Sequence, residues 1–186
     1  MSRLFAFNMV TLDGYFEGVN QDISWHNVDQ EFNEFAIGQL NEIGTLIFGR
    51  ITYEMMASYW PTPAALADDP VVAGLMNDMP KLVISNRLDR VTWNKSKILK
   101  DNLKEQISSL KQRSGKDLAV FGSANLLTTL IGLGLVDEHR IMVNPVVLGG
   151  GTRLFQQAQG KLKFNLVRSK VFGNGNVLLC YEPARE

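Results

Sequence analysis

Three short segments place small or polar residues directly after an apolar run, and all three carry groups that suit phosphate binding. The segments are Phe48-Gly49-Arg50-Ile51-Thr52, Ile84-Ser85-Asn86-Arg87 and Phe121-Gly122-Ser123-Ala124. In each segment we predict that a buried strand ends and a turn or helix begins. Ligands of open α/β sheets collect beyond the carboxyl ends of the strands, where helix N-termini offer backbone N–H groups and partial positive charge. The segments therefore indicate a phosphate or pyrophosphate site.

Individual residues of these segments fit that chemistry. Gly122 would let the backbone approach a phosphate closely, and Ser123 would cap a helix or donate to a phosphate oxygen. Arg50 and Arg87 each follow a strand end, where a guanidinium group can bind a phosphate through two parallel hydrogen bonds. Taken one at a time, however, a glycine there is more often only a tight turn, and a lone arginine is more often a solvated surface residue.

The elements that must position these residues alternate between strands and helices until about residue 135. Apolar runs predict strands over residues 4–10, 45–48, 81–85, 118–121, 140–148, 164–172 and 176–181, with a weak edge-like strand around Ile98. Helical spacing predicts helices after Asp29 and over residues 51–58, 103–115 and 124–132, and a helical or irregular stretch over residues 68–79. A polar loop should connect the first strand to the first helix. This order predicts a mostly parallel sheet that ends with consecutive antiparallel strands.

Length, charge and cysteine content restrict the class of protein. The 186 residues fit one domain spanning 1–186, and Lys+Arg equals Asp+Glu at 19 each, so we expect no nucleic-acid partner. No apolar stretch approaches the ~18 residues that a membrane span requires, so no membrane partner is expected. Cys180 lies in an apolar run, which predicts a buried strand thiol. A single cysteine forms no internal disulfide, which favours a reducing, cytoplasmic compartment.

Several common functional motifs are absent. The sequence contains neither a Gly-x-x-x-x-Gly-Lys-Ser/Thr phosphate loop nor the Gly-x-Gly-x-x-Gly dinucleotide fingerprint. It also lacks the Gly-x-Ser-x-Gly elbow of many hydrolases. Only His26 and His139 are available as imidazole ligands, and no cysteine cluster accompanies them, so we predict no metal site.

Four segments, in this order, resemble the dihydrofolate reductase-like family. They are Thr-Leu-Asp-Gly-Tyr at 11–15, Gly-Arg-Ile-Thr-Tyr-Glu at 49–54, Phe-Gly-Ser-Ala at 121–124, and Leu-Val-Asp-Glu followed by Asn-Pro-Val-Val-Leu-Gly-Gly-Gly within 135–151. The branch most similar is the reductase domain of bacterial riboflavin-biosynthesis proteins, the C-terminal domain of RibD. The likeness covers nearly all of residues 3–182. It implies an α/β fold with a mostly parallel central sheet, flanking helices and a C-terminal antiparallel hairpin.

The resemblance implies NADPH as the cofactor and a small-molecule substrate. By matched motif, Gly49, Arg50 and Thr52 would hold cofactor phosphates, Ser85, Asn86 and Arg87 would flank the adenosine 2′-phosphate, and Gly122, Ser123 and Ala124 would cradle the pyrophosphate. Asp13 and Gly14 would lie near the nicotinamide. The predicted activity is reduction of a small heteroaromatic or carbonyl compound, similar to 5-amino-6-(5-phosphoribosylamino)uracil reductase.

The sequence departs from dihydrofolate reductases at one substrate-binding position, and two other functions are alternatives to the predicted reductase. Dihydrofolate reductases bind the pterin with a carboxylate on the first helix, whereas counting along this sequence gives Asn33 or Gln30 at that place. A dihydrofolate or pterin reductase would have to use Glu31 or Glu34 instead. A nucleotide-binding module without catalysis is the other alternative.

Further expectations concern the proton, the pocket and the assembly. Asp13 is the best candidate for a catalytic proton donor, with water as its rival. Trp25, Trp60 and Tyr15 are candidate pocket walls. The apolar residues 177–179 make a homodimer through the C-terminal strands plausible.

Overall fold

The computed structural model describes residues 2–113 and 115–184. Across these residues the strands are β1 Leu4–Thr11, β2 Tyr15–Glu17, β3 Ile43–Gly49, β4 Lys81–Ile84, β5 Ser96–Leu99, β6 Asp117–Phe121, β7 Glu138–Asn144, β8 Thr152–Arg153, β9 Phe164–Val171 and β10 Val177–Pro183. The helices are α1 Gln30–Glu42, α2 Arg50–Tyr59, α3 Pro63–Asp68, α4 Pro70–Asp78, α5 Leu103–Arg113 and α6 Ala124–Gly132.

Eight of these strands form one sheet in the order β5-β4-β3-β6-β1-β7-β10-β9. The six strands from β5 to β7 are parallel to their neighbours, and β10 and β9 are antiparallel. β10 and β9 form a hairpin through residues 172–176. The predicted fold, a mostly parallel central sheet flanked by helices with a C-terminal antiparallel hairpin, is confirmed.

The central strands are buried on both faces, as expected for parallel strands that are covered by helices. In β1, Leu4 packs in the cluster on the α5 and α6 side, whereas the adjacent Phe5 packs with α1 and α4. The side chains of β3 alternate in the same way, with Ile47 on the α5 and α6 side and Leu46 on the α1 and α4 side. These two residues, like Leu4 and Phe5, are fully buried. The apolar runs in the sequence therefore supply two cores, one on each face of the sheet.

Local sequence signals explain where the helices begin and end. Asp29 accepts a hydrogen bond from the Phe32 N–H at 2.9 Å and starts α1, as predicted. Pro63 and Pro70 occupy the first turns of α3 and α4, where the missing N–H is not needed. No described helix combines the length and hydropathy needed to cross a bilayer.

The structure corrects three sequence predictions. The strand predicted over 140–148 ends at Asn144, because Pro145 cannot donate to the sheet. The predicted loop after β1 contains β2, which pairs with β8, so a small second sheet lies there. α3 was not predicted, since the helical pattern was assigned only from residue 68.

The C-terminal strands differ in exposure. Cys180 on β10 is fully buried, as predicted, and burial raises the pKa of its thiol. The apolar residues 177–179, from which a homodimer was predicted, belong to β10, and this strand is hydrogen-bonded on both sides, to β7 and to β9. The open edge at this end of the sheet therefore belongs to β9, and the edge at the other end belongs to β5. A homodimer stays a prediction.

We predict that His139 makes the protein sensitive to acid. It is 2% exposed on β7, 4.9 Å from the Phe164 ring, and burial lowers its pKa to about 4. The unfolded chain binds a proton here below about pH 6.5, whereas the folded chain resists protonation until about pH 4. Stability is therefore complete above pH 6.5 and lost as the pH falls toward 4.

His139→Phe removes this titration. Urea unfolding at pH 7 and pH 4 should show the unaltered protein losing on the order of 3 kcal/mol more than the variant. Equal losses in the two proteins would contradict the prediction.

Candidate functional site

The three predicted strand ends lie side by side at one edge of the sheet. β3 is hydrogen-bonded to β4 on one side and to β6 on the other. Gly49 pairs with Ile84, the residue before Ser85, and Ile47 pairs with Val120, two residues before Gly122. Neighbouring strands are about 4.8 Å apart, so Ser85, Gly49 and Gly122 form a row about 10 Å long. This row is long enough to meet successive phosphates of a dinucleotide.

The backbone at the end of β6 takes a conformation that suits a close approach by a ligand. Gly122 and Ser123 both have positive φ angles, 67° and 60°. A β-carbon on Gly122 would lie 3.2 Å from Cγ2 of Thr52, and one on Gly49 would lie 2.6 Å from Oγ of Ser123. The sequence thus brings Gly49, Thr52, Gly122 and Ser123 into one contact group, which we call the glycine cradle.

Two helices begin at the glycine cradle. α2 starts after Gly49, which provides no side chain to cap the N–H groups of the first turn. α6 starts after Ser123, whose Oγ accepts from the Leu126 N–H at 3.3 Å. The remaining N–H groups of both first turns, including that of the buried Ala124, carry the partial positive charge of a helix N-terminus.

The other predicted cofactor residues lie farther along the row. The Arg50 guanidinium pairs with the Glu54 carboxylate at 2.8 Å, one helical turn away. Ser85 Oγ accepts from the N–H groups of Arg87 and Leu88, both at 3.1 Å, and so shapes the turn after β4. Asn86 and Arg87 are exposed, which leaves the Arg87 side chain accessible to a ligand.

Asp13 occupies a different position, between β1 and the segment after β7. Its carboxylate accepts from Thr11 Oγ1 at 2.6 Å, from the Gly149 N–H at 2.8 Å and from the Leu148 N–H at 3.3 Å. The Thr11 hydroxyl is the main cause of a lowered pKa. Gly14 follows with a φ of 82° and completes the turn. Asp13 is therefore an ionised staple between two loops, which makes it a poor proton donor.

A cleft of about 400 Å³ adjoins the glycine cradle and shares Thr52 and Gly122 with it. Its walls come from β1, the loop before α1, and the helices α1, α2 and α4. The apolar lining is Phe7, Met9, Phe16, Ile23, Val28, Phe32, Ala36, Leu40, Met55, Met56, Trp60, Val72, Met76 and Phe121. Such a cleft suits a small aromatic or aliphatic compound.

Polar groups are few in the cleft. His26 lines it, and burial lowers the pKa of its imidazole to about 4, so this side chain is neutral near pH 7. The other polar residues of the lining are Asn8, Asn33, Gln39, Thr52, Tyr59 and Asp69. No described residues form a cluster of three or more His, Cys, Asp or Glu side chains suited to a metal ion.

On α1, where dihydrofolate reductases carry the carboxylate that binds the pterin, this chain has an amide residue. Asn33 lines the cleft, whereas Gln30, Glu31 and Glu34 do not. Glu31 instead accepts from the Gly173 N–H at 2.8 Å and pairs with Lys170 at 2.9 Å, which ties α1 to the β9–β10 hairpin. Glu34 is exposed and accepts from Gln30. Neither acid lies where a pterin bound in the cleft would meet it.

Sequence reasoning identified the cradle better than the cleft. Trp60 is part of the lining as predicted, but Trp25 and Tyr15 are not. It did not identify Asn8, His26 or Gln39 as cleft residues. A polar residue inside the apolar run of β1 was a signal for Asn8, since such positions usually hold core residues.

The model of the RibD C-terminal domain matches residues 3–178. The chain belongs to this family. A relative of this chain, the uncharacterized protein YyaP of Bacillus subtilis (strain 168), is 34% identical to it over 174 residues, which are 92% of this chain and 90% of YyaP.

Two solved structures have the same fold. A Shewanella sp. PV-4 protein named for riboflavin biosynthesis has a TM-score of 0.76 at 24% identity and covers 98% of this chain and 99% of its own. Dihydrofolate reductase from Enterococcus faecalis, complexed with NADP(H), has a TM-score of 0.67 at 16% identity. This match covers 98% of this chain and 97% of the reductase. At these identities the likeness establishes the fold of this RibD C-terminal domain and not its substrate.

We predict that Gly122→Ala destabilises the fold. The side chain would be forced into the left-handed region at a cost of about 1–2 kcal/mol, and its β-carbon would crowd Thr52. Gly38→Ala is the matched control, because Gly38 lies inside α1 with no atom within 4 Å of an added β-carbon. It should stabilise the protein by roughly 0.5–1 kcal/mol. Urea unfolding gives the free energy of unfolding of each variant. Equal changes in the two variants would contradict the requirement for glycine at position 122.

A second prediction concerns the Asp13 staple. Asp13→Ala should accelerate hydrogen exchange of the Leu148 and Gly149 amides and lower the melting temperature, because both N–H groups lose their acceptor. Asp13→Asn keeps one oxygen acceptor and should give an intermediate effect. Unchanged exchange in Asp13→Ala would rule out the staple.

Proposed function

We propose that this protein is an NADPH-dependent oxidoreductase that reduces a small heteroaromatic or carbonyl compound. The observation that supports the proposal is the shared wall between the glycine cradle and the apolar cleft, because Thr52 and Gly122 belong to both. A dinucleotide along the row of strand ends would thereby place one end at the mouth of the cleft.

The cradle fits the cofactor on its own geometry. The positive φ angles of Gly122 and Ser123, and the absence of space for a β-carbon at Gly49, leave backbone N–H groups accessible at two helix N-termini. In this proposal Gly122, Ser123 and Ala124 hold the pyrophosphate, and Gly49, Arg50 and Thr52 contact the phosphates beside it. Ser85, Asn86 and Arg87 hold the 2′-phosphate, and Gly14 lies near the nicotinamide end.

The cofactor supplies hydride when bound, and the chain supplies position and a dry environment. The aromatic and methionine side chains of the cleft exclude water from the reacting face of the substrate. His26 is neutral near pH 7 and Asp13 is ionised. Since neither residue holds a proton suited to transfer, we propose that water supplies the proton.

The pterin alternative is less well supported. It needed Glu31 or Glu34 as the ligand for a protonated ring, and Glu31 is engaged with Lys170 and the Gly173 N–H outside the cleft. The non-catalytic alternative is an outcome of the cofactor test: tight NADPH binding without turnover of a panel of ring substrates.

Isothermal titration calorimetry with NADPH and NADH tests the proposal. We expect micromolar binding of NADPH and much weaker binding of NADH, since Arg87 is exposed beside the turn that would receive a 2′-phosphate. Arg87→Gln should weaken NADPH binding about tenfold and leave NADH unchanged, because a charge-assisted hydrogen bond contributes roughly 1.5–3 kcal/mol. Arg113→Gln, at the end of α5 before β6, is the control. Failure to bind either nucleotide would refute the oxidoreductase assignment.

A further inference from the structure

Gln39 is a polar residue on the otherwise apolar side of α1 that faces the cleft. It lines the cleft together with Phe32, Ala36 and Leu40, which recur at helical spacing. Gln39 is 4% exposed, although a glutamine is normally a surface residue. A buried amide is destabilising unless its oxygen and its nitrogen both find partners, so each half of the Gln39 amide requires an explanation.

Arg140 is the partner of the oxygen half. Nη1 of Arg140 donates to Oε1 of Gln39 at 3.3 Å. Arg140 lies on β7, is buried, and stands outside the lining of the cleft. Its guanidinium group also pairs with Glu138 at 2.9 Å and Glu42 at 3.1 Å, and its central carbon lies 3.8 Å from the centroid of the Phe5 ring. These contacts hold the guanidinium group in one place.

The contact with Arg140 fixes the direction of the Gln39 amide. A guanidinium group only donates hydrogen bonds, so the carbonyl oxygen must face Arg140 and the Nε2 group must point away. Nε2 donates to no group in residues 2–113 or 115–184, yet it is not one of the fully buried unpaired atoms of this part of the chain. Nε2 therefore keeps accessible surface. Since Gln39 lines the cleft, this surface opens into the cleft.

We propose that Gln39 determines ligand specificity by donating a hydrogen bond from Nε2 to an acceptor atom of the ligand, a carbonyl oxygen or an unprotonated ring nitrogen. Arg140 is a positioning residue, because it lies outside the cleft and acts by holding Oε1. The inference rests on the proposed function only in taking the cleft as the place where the substrate binds.

The preference for an acceptor depends on the charge behind Gln39. With Arg140 in place, Nε2 faces the cleft and disfavours a ligand N–H, because two donors cannot pair. Without Arg140, the groups that remain at this place are the Glu42 and Glu138 carboxylates, which only accept. These carboxylates draw Nε2 toward themselves and turn Oε1 toward the cleft, so the preference reverses.

Calorimetric titration of the cofactor-free protein with quinoline and indole at pH 8 tests the role of Gln39. Both compounds are uncharged bicyclic rings of similar size, but the quinoline nitrogen only accepts a hydrogen bond and the indole N–H only donates one. Gln39→Glu keeps the size of the side chain and its contact with Arg140 but replaces the donor by an acceptor. We expect this variant to bind quinoline about tenfold more weakly and indole no more weakly. Gln106→Glu, on the exposed side of α5, is the matched control and should change neither affinity.

Arg140→Met tests the positioning role, because it leaves Gln39 itself unchanged. We expect the ratio of quinoline affinity to indole affinity to fall at least about tenfold as the amide turns. A residue that only supports the packing would change both affinities together and leave their ratio unaltered. Arg140→Met removes a partner of the buried Glu138, so the double variant Glu138→Gln/Arg140→Met repeats the measurement if the single variant does not fold.

An unchanged ratio in Gln39→Glu would overturn the role of Gln39, and an unchanged ratio in the folded Arg140 variant would overturn that of Arg140. Failure of quinoline to bind the unaltered protein would overturn both, because an accessible donor in an apolar cleft should capture an acceptor ring. No cofactor is present in these titrations. Their outcome is therefore independent of the NADPH titration that tests the oxidoreductase assignment.

Discussion

The approach of β3 to the first turn of α6 is the constraint on which the site depends. A β-carbon at Gly49 would lie 2.6 Å from the Ser123 hydroxyl, so the Gly49 backbone lies directly against the Ser123 side chain and no side chain fits at Gly49. That contact exists because β3 and β6 are neighbours in a parallel sheet, with their carboxyl ends at the same edge. The pairing of two buried apolar runs therefore fixes where two helix N-termini converge.

Much of the fold could be predicted from the sequence, because it is encoded in short-range patterns. The apolar runs of the central strands and the Asp29 cap of α1 are local signals, and each was found where the structure has it. β2 and β8 have no such signal, since strands of three and two residues are too short to show a period. β2 and β8 pair with each other, and Asp13 joins the segments that precede them through its hydrogen bonds to the Leu148 and Gly149 N–H groups.

The site likewise has one part that local sequence patterns predict, the glycine cradle, and one part that they do not, the cleft. Gly49, Thr52, Gly122 and Ser123 follow strand ends, and their grouping follows from strand order once the parallel sheet is assumed. The cleft, by contrast, is built from residues distant in sequence, such as Met9, Phe32 and Met76. Whether Glu31 faces this cleft or the hairpin depends on the rotation of α1, which composition and spacing do not specify.

The contact of Glu31 with the hairpin has a mechanical meaning. α1 forms one wall of the cleft, and Glu31 fastens this helix to Lys170 and to the backbone of Gly173. The strands beneath the cradle belong to the parallel part of the sheet, whereas the anchor belongs to the antiparallel part at its far end. The parallel part of the sheet thus carries the groups that suit a phosphate, and the antiparallel part anchors the helix that forms the opposite wall of the cleft.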